Sequence, residues 1–492
     1  MTHFATIGVD HIQSHLSRSR HLWGRRGASA LMVELTSLPT DASAGPSIKG
    51  RTLRRVLDAE PGVSVAGDAL DVDGLVTLQA EDAAAVRRAA RALATAITDA
   101  LPGATATVRT LESSGFTESL VKDPGGRYKH ATAEERFAPV PHEYPPARLC
   151  EECATSPASR VVETHPGEVQ SLCTDCISRH GASSRWDDGS LTRSTFSAEL
   201  RLRQHLRSTR PEIRTVSTFD ELADLRAHED RQQRAHEDNH LALVFADGNA
   251  MGHLFDEATA RAIATGSTGE LRALSDHVKK ATEAALWRAT EAILLPDDDF
   301  VPVIPHLLGG DDLLVSVTAD RAWPFVDAFL TDAQRRYGEV SRDLSISAGV
   351  VLARSSFPFG DQVELAERVL KGAKRAGLGR KCTVAWVDVT ETGPHLPRGR
   401  RPWTLDDLHA RKPALDHTLE TGNTALGAIR VALETDREWA SLNLWHQALR
   451  DRQVRDLLTA LGFDPTVPLD DPALGVLSET LSLSRWWRRV DV

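Results

Sequence analysis

The chain carries only five cysteines in 492 residues, and no secretory leader opens it. That argues against a disulfide-stapled extracellular scaffold and for a reducing compartment. No apolar run approaches the ~20 residues that span a bilayer, so no membrane partner is expected. Positive charge is outnumbered, with 58 Lys and Arg against 69 Asp and Glu. The formal net charge is −11 and lysine-rich tracts are nearly absent. A protein coated everywhere with nucleic acid is therefore disfavoured, although local basic clusters remain possible. What is present is ordinary for a globular chain: 41% hydrophobic and 26% charged residues, with length enough for three or four domains. Abundant Ala, Arg and Asp suit a GC-rich bacterial coding sequence, and a cytoplasmic bacterial location is expected.

Four of the five cysteines form two knuckles, Cys150-Glu151-Glu152-Cys153 and Cys173-Thr174-Asp175-Cys176. This spacing fits a four-thiolate zinc ribbon, because a tetrahedral sulfur cage needs two tight turns brought together. Four sulfurs leave no open position, so the zinc is structural and neither His165 nor His180 is needed.

The string from His306 to Val317 places two apolar runs around Gly309-Gly310-Asp311-Asp312. Glycines accept the positive φ of a tight hairpin turn. The reading puts both aspartates at an exposed tip. Alone, such a turn is ordinarily a solvated hairpin. A partner upstream changes this: Leu241 to Asp247 reads as a buried strand ending in a carboxylate, followed by a Gly248–Gly252 loop and a helix from His253. Strand, glycine loop and helix N-terminus suit an anionic phosphate. Three converging aspartates suit magnesium, a hard ion that prefers oxygen ligands.

Together, Asp247-Gly248-Asn249-Ala250-Met251-Gly252 and Gly309-Gly310-Asp311-Asp312 resemble the palm domain of the large polymerase-like subunit of type III CRISPR effector complexes. Ser345–Val351 resembles the next palm strand, and Phe357-Pro358-Phe359 with Ala366–Lys374 the following helix. Diguanylate cyclases share the palm but carry Gly-Gly-Asp-Glu-Phe, whereas this turn ends Asp312-Leu313. The resemblance implies conversion of ATP into cyclic oligoadenylate with loss of pyrophosphate. It implies Asp247, Asp311 and Asp312 as catalytic ligands of magnesium or manganese. It implies nucleotide contacts from Gly248, Asn249, Met251, Gly252, Gly309, Gly310 and Lys374. Guide or target RNA and other effector subunits are the implied partners. A nucleotide-binding scaffold without turnover, or a free-standing cyclase not activated by guide RNA, are the alternatives. No His-Asp dipeptide occurs, so the nuclease found in many members of that family is not expected.

The expected fold is α+β: two ferredoxin-like palm domains joined by a zinc ribbon, with a helical C-terminal domain. Residues 1–112 read as a first, non-catalytic palm in β-α-β-β-α-β order, with Asp10 the counterpart of Asp247. Its family entry of small residue, Gly and Ser is replaced by Gly24-Arg25-Arg26-Gly27-Ala28-Ser29. Residues 113–235 read as linker, ribbon (150–176) and helices, 236–395 as the catalytic palm and 396–492 as helical. The stretch 110–148 is expected to be linker with little core. The echo between 227–230 and 235–238 reads as a solvated face, Trp439 to Leu461 as helix, and the Trp486-Trp487 pair as core. Lys371, Lys374 and Arg375 share one helix face.

Overall fold

The computed structural model describes residues 1–36, 50–70, 74–123, 126–139, 147–165, 167–187, 198–225, 239–395 and 400–488. The histidine–acid echo at 227–238, the proline-rich 140–146 and Arg489 lie outside them.

The first sheet is built from β1 (Thr2–Asp10), β2 (Ser64–Val65), β3 (Leu75–Ala80), β4 (Thr105–Ser113) and β5 (Ala131–Phe137), in the order β2-β3-β1-β4-β5. The helices α1 (Ile12–Ser17), α2 (Leu22–Thr36) and α3 (Arg51–Ala59) connect β1 to β2, and α4 (Ala83–Ala100) connects β3 to β4. Placing β1 between β3 and β4 gives the ferredoxin-like order. Helix α4 shows why the sequence folds so. Asp82 caps it by accepting from the Ala84 N–H at 2.9 Å, and Val86, Ala89, Leu93 and Ile97 recur at helical spacing on the face buried against the sheet.

Residues 110–148 are not a bare linker. After α5 (Phe116–Ser119), β5 pairs with β4 and widens the sheet. An apolar pattern could not reveal this strand, because charge holds it: Arg91 donates to Glu135 at 2.7 Å and Arg109 to Glu134 at 2.7 Å.

The middle segment holds a hairpin of β6 (Arg160–His165) and β7 (Glu168–Leu172), then α6 (Thr174–Asp187), α7 (Ala198–Leu206) and α8 (Phe219–Ala223). The second large sheet follows. Its strands are β8 (His240–Asn249), β9 (Val303–Gly309), β10 (Asp312–Thr318), β11 (Ser345–Arg354), β12 (Thr383–Asp388) and β13 (Trp403–Thr404), ordered β13-β12-β11-β8-β10-β9. Its helices are α9 (Met251–Thr265), α10 (Gly269–Glu291), α11 (Ala322–Val340), α12 (Phe359–Ala376) and the short α13 (Val389–Thr392). The strands β11-β8-β10-β9 repeat the ferredoxin-like order. One face buries Trp323, Phe325 and Phe329 of α11 with Ala285 and Leu286 of α10, and the other buries Val363, Ala366 and Val369 of α12. Covered on both sides, β8 reads as a nearly continuous apolar run.

The C-terminal helices are α14 (Leu405–Glu420), α15 (Asn423–Leu433), α16 (Arg437–Arg450), α17 (Arg452–Ala460) and α18 (Asp471–Ser484). The stretch from Trp439 to Leu461 is therefore two helices. Asp451 breaks it, taking an extended conformation and capping α17 through the Gln453 N–H at 2.8 Å. Trp486 and Trp487 are core, as expected. Their indole N–H groups donate to Asp388 (2.7 Å) and Asp416 (2.9 Å), which fastens the segment after α18 to β12 and to α14. No helix of the described residues is long and apolar enough to cross a membrane.

Candidate active site

The hairpin β9–β10 turns through Gly310 and Asp311, with Gly309 paired to Asp312. Gly310 has φ +63° and Asp311 does not share that region, the pattern of a two-residue turn led by glycine. β10 pairs with β8 so that Leu313 faces Ala246. Continuing that register sets Asp312 beside Asp247 and Asp311 beside Gly248. Gly248 makes room for this approach: a Cβ there would lie 2.8 Å from Asp311 Oδ2 and 2.6 Å from Met251 Cγ, so both side chains would have to shift.

The aspartates do not stand at an exposed tip. Asp311 and Asp312 are half-buried, and each lies within hydrogen-bonding reach of Asp247. Burial first, and the Asp247 charge second, push the Asp311 carboxyl up to about 7 and that of Asp312 to about 8. The site thus holds more negative charge than its surroundings offset, and a divalent cation fits such an oxygen donor set. The three carboxylates do not all converge on one point, although Asp311 and Asp312 each approach Asp247. Among the described residues only the four cysteines bring their ligand atoms all within 4.8 Å of one another. Lys374 of α12 forms an ion pair with Asp247 and donates to the Gly248 carbonyl at 2.9 Å.

The expected Gly248–Gly252 loop is absent. β8 runs two residues past Asp247, α9 begins at Met251, and Ala250 alone joins them at φ +60°. No side chain caps α9 and its first turn holds no acid, so the N–H groups there can meet an anion. Met251 is buried in the core, so its contribution would be its backbone, while Gly252 is exposed. Asn249 is a scaffold residue. Its amide donates to Ser345 Oγ (2.8 Å), Ser347 Oγ (3.0 Å) and the Lys381 carbonyl (3.0 Å), locking β8 to β11. In the first sheet, Asp10 accepts from Thr107 at 2.9 Å, without a glycine hairpin opposite.

The four buried cysteines meet between the hairpin β6–β7 and the start of α6. Cys153 and Cys173 sulfurs are 3.8 Å apart. A tetrahedral zinc with bonds of about 2.3 Å places its sulfurs about 3.8 Å from one another, so the cluster fits the ion. The ribbon grips the first sheet's helices: buried Glu152 accepts from the His21 N–H at 2.9 Å, and buried Arg179 bonds Asp175 (2.9 Å) and Ser19 (3.0 Å).

Two residues of this neighbourhood were passed over in the sequence. His306 lies in the quoted string but reads as one more strand residue. Arg25 lies in the departure from the family entry at 24–29, and that departure was the available signal.

A ferredoxin-like sheet that presents carboxylates from its first strand and from the following hairpin has the layout of a palm domain. Residues 240–382 match the second palm domain of Cas10/Cmr2. Among solved structures the chain is similar to a Csm1–Csm4 cassette in complex with pppApApA (11% identity, TM-score 0.53, 99% of this chain and 69% of that one). It is also similar to Csm1 of T. onnurineus (12%, 0.51, 98% and 69%). No curated protein matches in sequence. The chain is Cas10-like: a Cas10-type palm within the fold of Csm1.

Lys374 gives a test with two signs. With Lys374→Met, Mn²⁺ affinity without nucleotide should rise about tenfold as its competitor for Asp247 goes, while ATP affinity falls by a similar factor. Calorimetric titration measures both. A fall in both would contradict this geometry.

Proposed function

We propose that this chain is a nucleotidyltransferase that joins ATP into cyclic oligoadenylate and releases pyrophosphate, as the polymerase-like subunit of a type III CRISPR effector. One observation carries the reading. The Gly309–Asp312 hairpin is paired to β8 in a register that sets two carboxylates against Asp247, beside Lys374 and the uncapped end of α9. Magnesium or manganese held by Asp247, Asp311 and Asp312 would activate the attacking 3′-hydroxyl and offset charge on the leaving pyrophosphate. The chain's own groups position the substrate. The N–H groups of Met251 and Gly252 bind phosphate oxygens, and Lys374 turns from Asp247 to the triphosphate. Gly309 and Gly310 leave open space where a side chain would stand, so the phosphates can approach the backbone, while Gly248 makes room for Asp311.

The finer architecture belongs to the same reading: a non-catalytic first palm, a zinc ribbon, the catalytic palm and a helical C-terminal domain. The implied partners are ATP, neighbouring subunits of the Csm4 kind, and guide or target RNA. Adenine preference rests on the resemblance alone. Pyrophosphate release from ATP with Mn²⁺, measured with and without target RNA, tests the reading. Release only with RNA supports an effector subunit, and release without it a free-standing cyclase. No release under either condition would leave a nucleotide-binding scaffold.

A further inference from the structure

Arg25 extends from α2 of the first half into the second sheet. It is 4% exposed, and among the described residues no carboxylate forms a direct ion pair with it, the nearby charge being that of Glu152. Its Nε donates to the Ser19 carbonyl at 3.3 Å and Nη2 to the Arg20 carbonyl at 3.4 Å. The guanidinium lies 3.1 Å from the ring centre of Phe359, at the start of α12, and 4.5 Å from that of Phe219 in α8. Its remaining arm, Nη1, reaches His306 Nδ1 at 3.4 Å. A buried guanidinium held by carbonyls and rings is costly compared with an apolar side chain of the same shape.

His306 is a particular residue of its strand. Leu314 pairs with Leu307 and Val315 with Pro305, so His306 is the extra residue of a β-bulge. Bulges re-aim neighbouring side chains and sharpen local twist. Pro305, which has no N–H to give a ladder, suits this position. The ring is gripped on both sides, because Nε2 lies 2.8 Å from Ser316 Oγ across the hairpin. Burial first, and the Arg25 charge second, push the imidazole well below its ordinary range. A neutral ring accepts from Arg25 at Nδ1 and donates to Ser316 at Nε2, which fixes its tautomer. Beside it is a cavity of about 20 Å³, room for one water, lined by Leu307, Leu314 and Phe359. Leu314 stands two residues from Asp312.

We propose that Arg25 is a positioning residue that holds the bulged His306 and thereby fixes the register and twist with which the β9–β10 hairpin presents Asp311 and Asp312 to Asp247. The first half of the chain thus sets the metal ligands of the second. The inference rests on the proposed metal site of Asp247, Asp311 and Asp312, and on the proposed activity only for its turnover readout.

The test compares wild type with Arg25→Met, His306→Ala and the double variant. Arg25→Met should weaken Mn²⁺ binding, followed by electron paramagnetic resonance, about fivefold, and lower kcat for pyrophosphate release about tenfold with KM for ATP within about twofold. Its melting temperature should not fall, since a desolvated charge without a direct ion pair is removed. Adding His306→Ala should cost little more, because both residues act through one contact. Should Arg25→Met fail to fold, Arg25→Lys takes its place, since an ammonium cannot reproduce the stacked fork, and the same losses are expected. Wild-type Mn²⁺ affinity and turnover in the variant would overturn the proposal. So would a lower melting temperature with full turnover per folded molecule. A wild type that binds Mn²⁺ but does not turn over ATP would sink the cyclase reading alone, leaving the Mn²⁺ comparison to decide on Arg25.

Discussion

Replacing Asp311 and Asp312 together by asparagine is expected to lower pyrophosphate release at least about a thousandfold, since metal-borne charge stabilisation is worth several kcal/mol. The same change should make the metal-free protein more stable at pH 8. Burial and the Asp247 charge raise the two carboxyls to about 7 and about 8 in the folded chain, whereas in the unfolded chain they titrate near ~4. The stability they contribute is therefore fully present below about pH 4 and is lost as pH rises through about 7 to 8. Asparagine removes that loss. In EDTA the double variant should melt above wild type at pH 8, by roughly 1 °C for each kcal/mol gained in a chain of this length, and match it near pH 4. A thermal scan at the two pH values, run beside the turnover assay, checks both halves. An equal or lower melting temperature at pH 8 would mean that the carboxylates are not crowded as described.

The second large effect concerns zinc. Elemental analysis should find about one zinc per chain, and Cys176→Ser should lower that content together with stability, because a closed four-thiolate site contributes folding energy outright. The damage should not stay local. Glu152 and Arg179 tie the ribbon to His21, Ser19 and His15 around the start of α2, the helix from which Arg25 reaches the hairpin. Loss of metal should therefore expose both the ribbon and the segment 11–25 to limited proteolysis. Less than about half an equivalent of zinc in a fully folded protein would count against the ribbon.

Much of the palm was legible because its signals are local. The Gly309-Gly310 turn between two apolar runs specifies a hairpin, and the paired Cys-x-x-Cys knuckles specify where four sulfurs meet. The unread parts depend on contacts between distant residues. Gly248 looked like loop punctuation, yet it sits inside a strand, where glycine makes room for Asp311. The half-burial of Asp311 and Asp312 follows from β8 running on to Asn249, which no turn signal marks. Strand β5 is held by the adjacent Glu134 and Glu135, which pair with Arg109 and Arg91, so an apolar pattern passes it by. Arg25 looked like a lost family motif. Its partners are Phe219, His306 and Phe359, which no spacing in the sequence connects.

The central claim is that Asp247, Asp311 and Asp312 form a metal site that links adenylates. Mass spectrometry of products after incubation with ATP and Mn²⁺, with target RNA present, tests it most directly. The expected result is cyclic oligoadenylate from the wild type and unreacted ATP from the Asp311→Asn/Asp312→Asn variant. Unreacted ATP from both, or the same product from both, would contradict it.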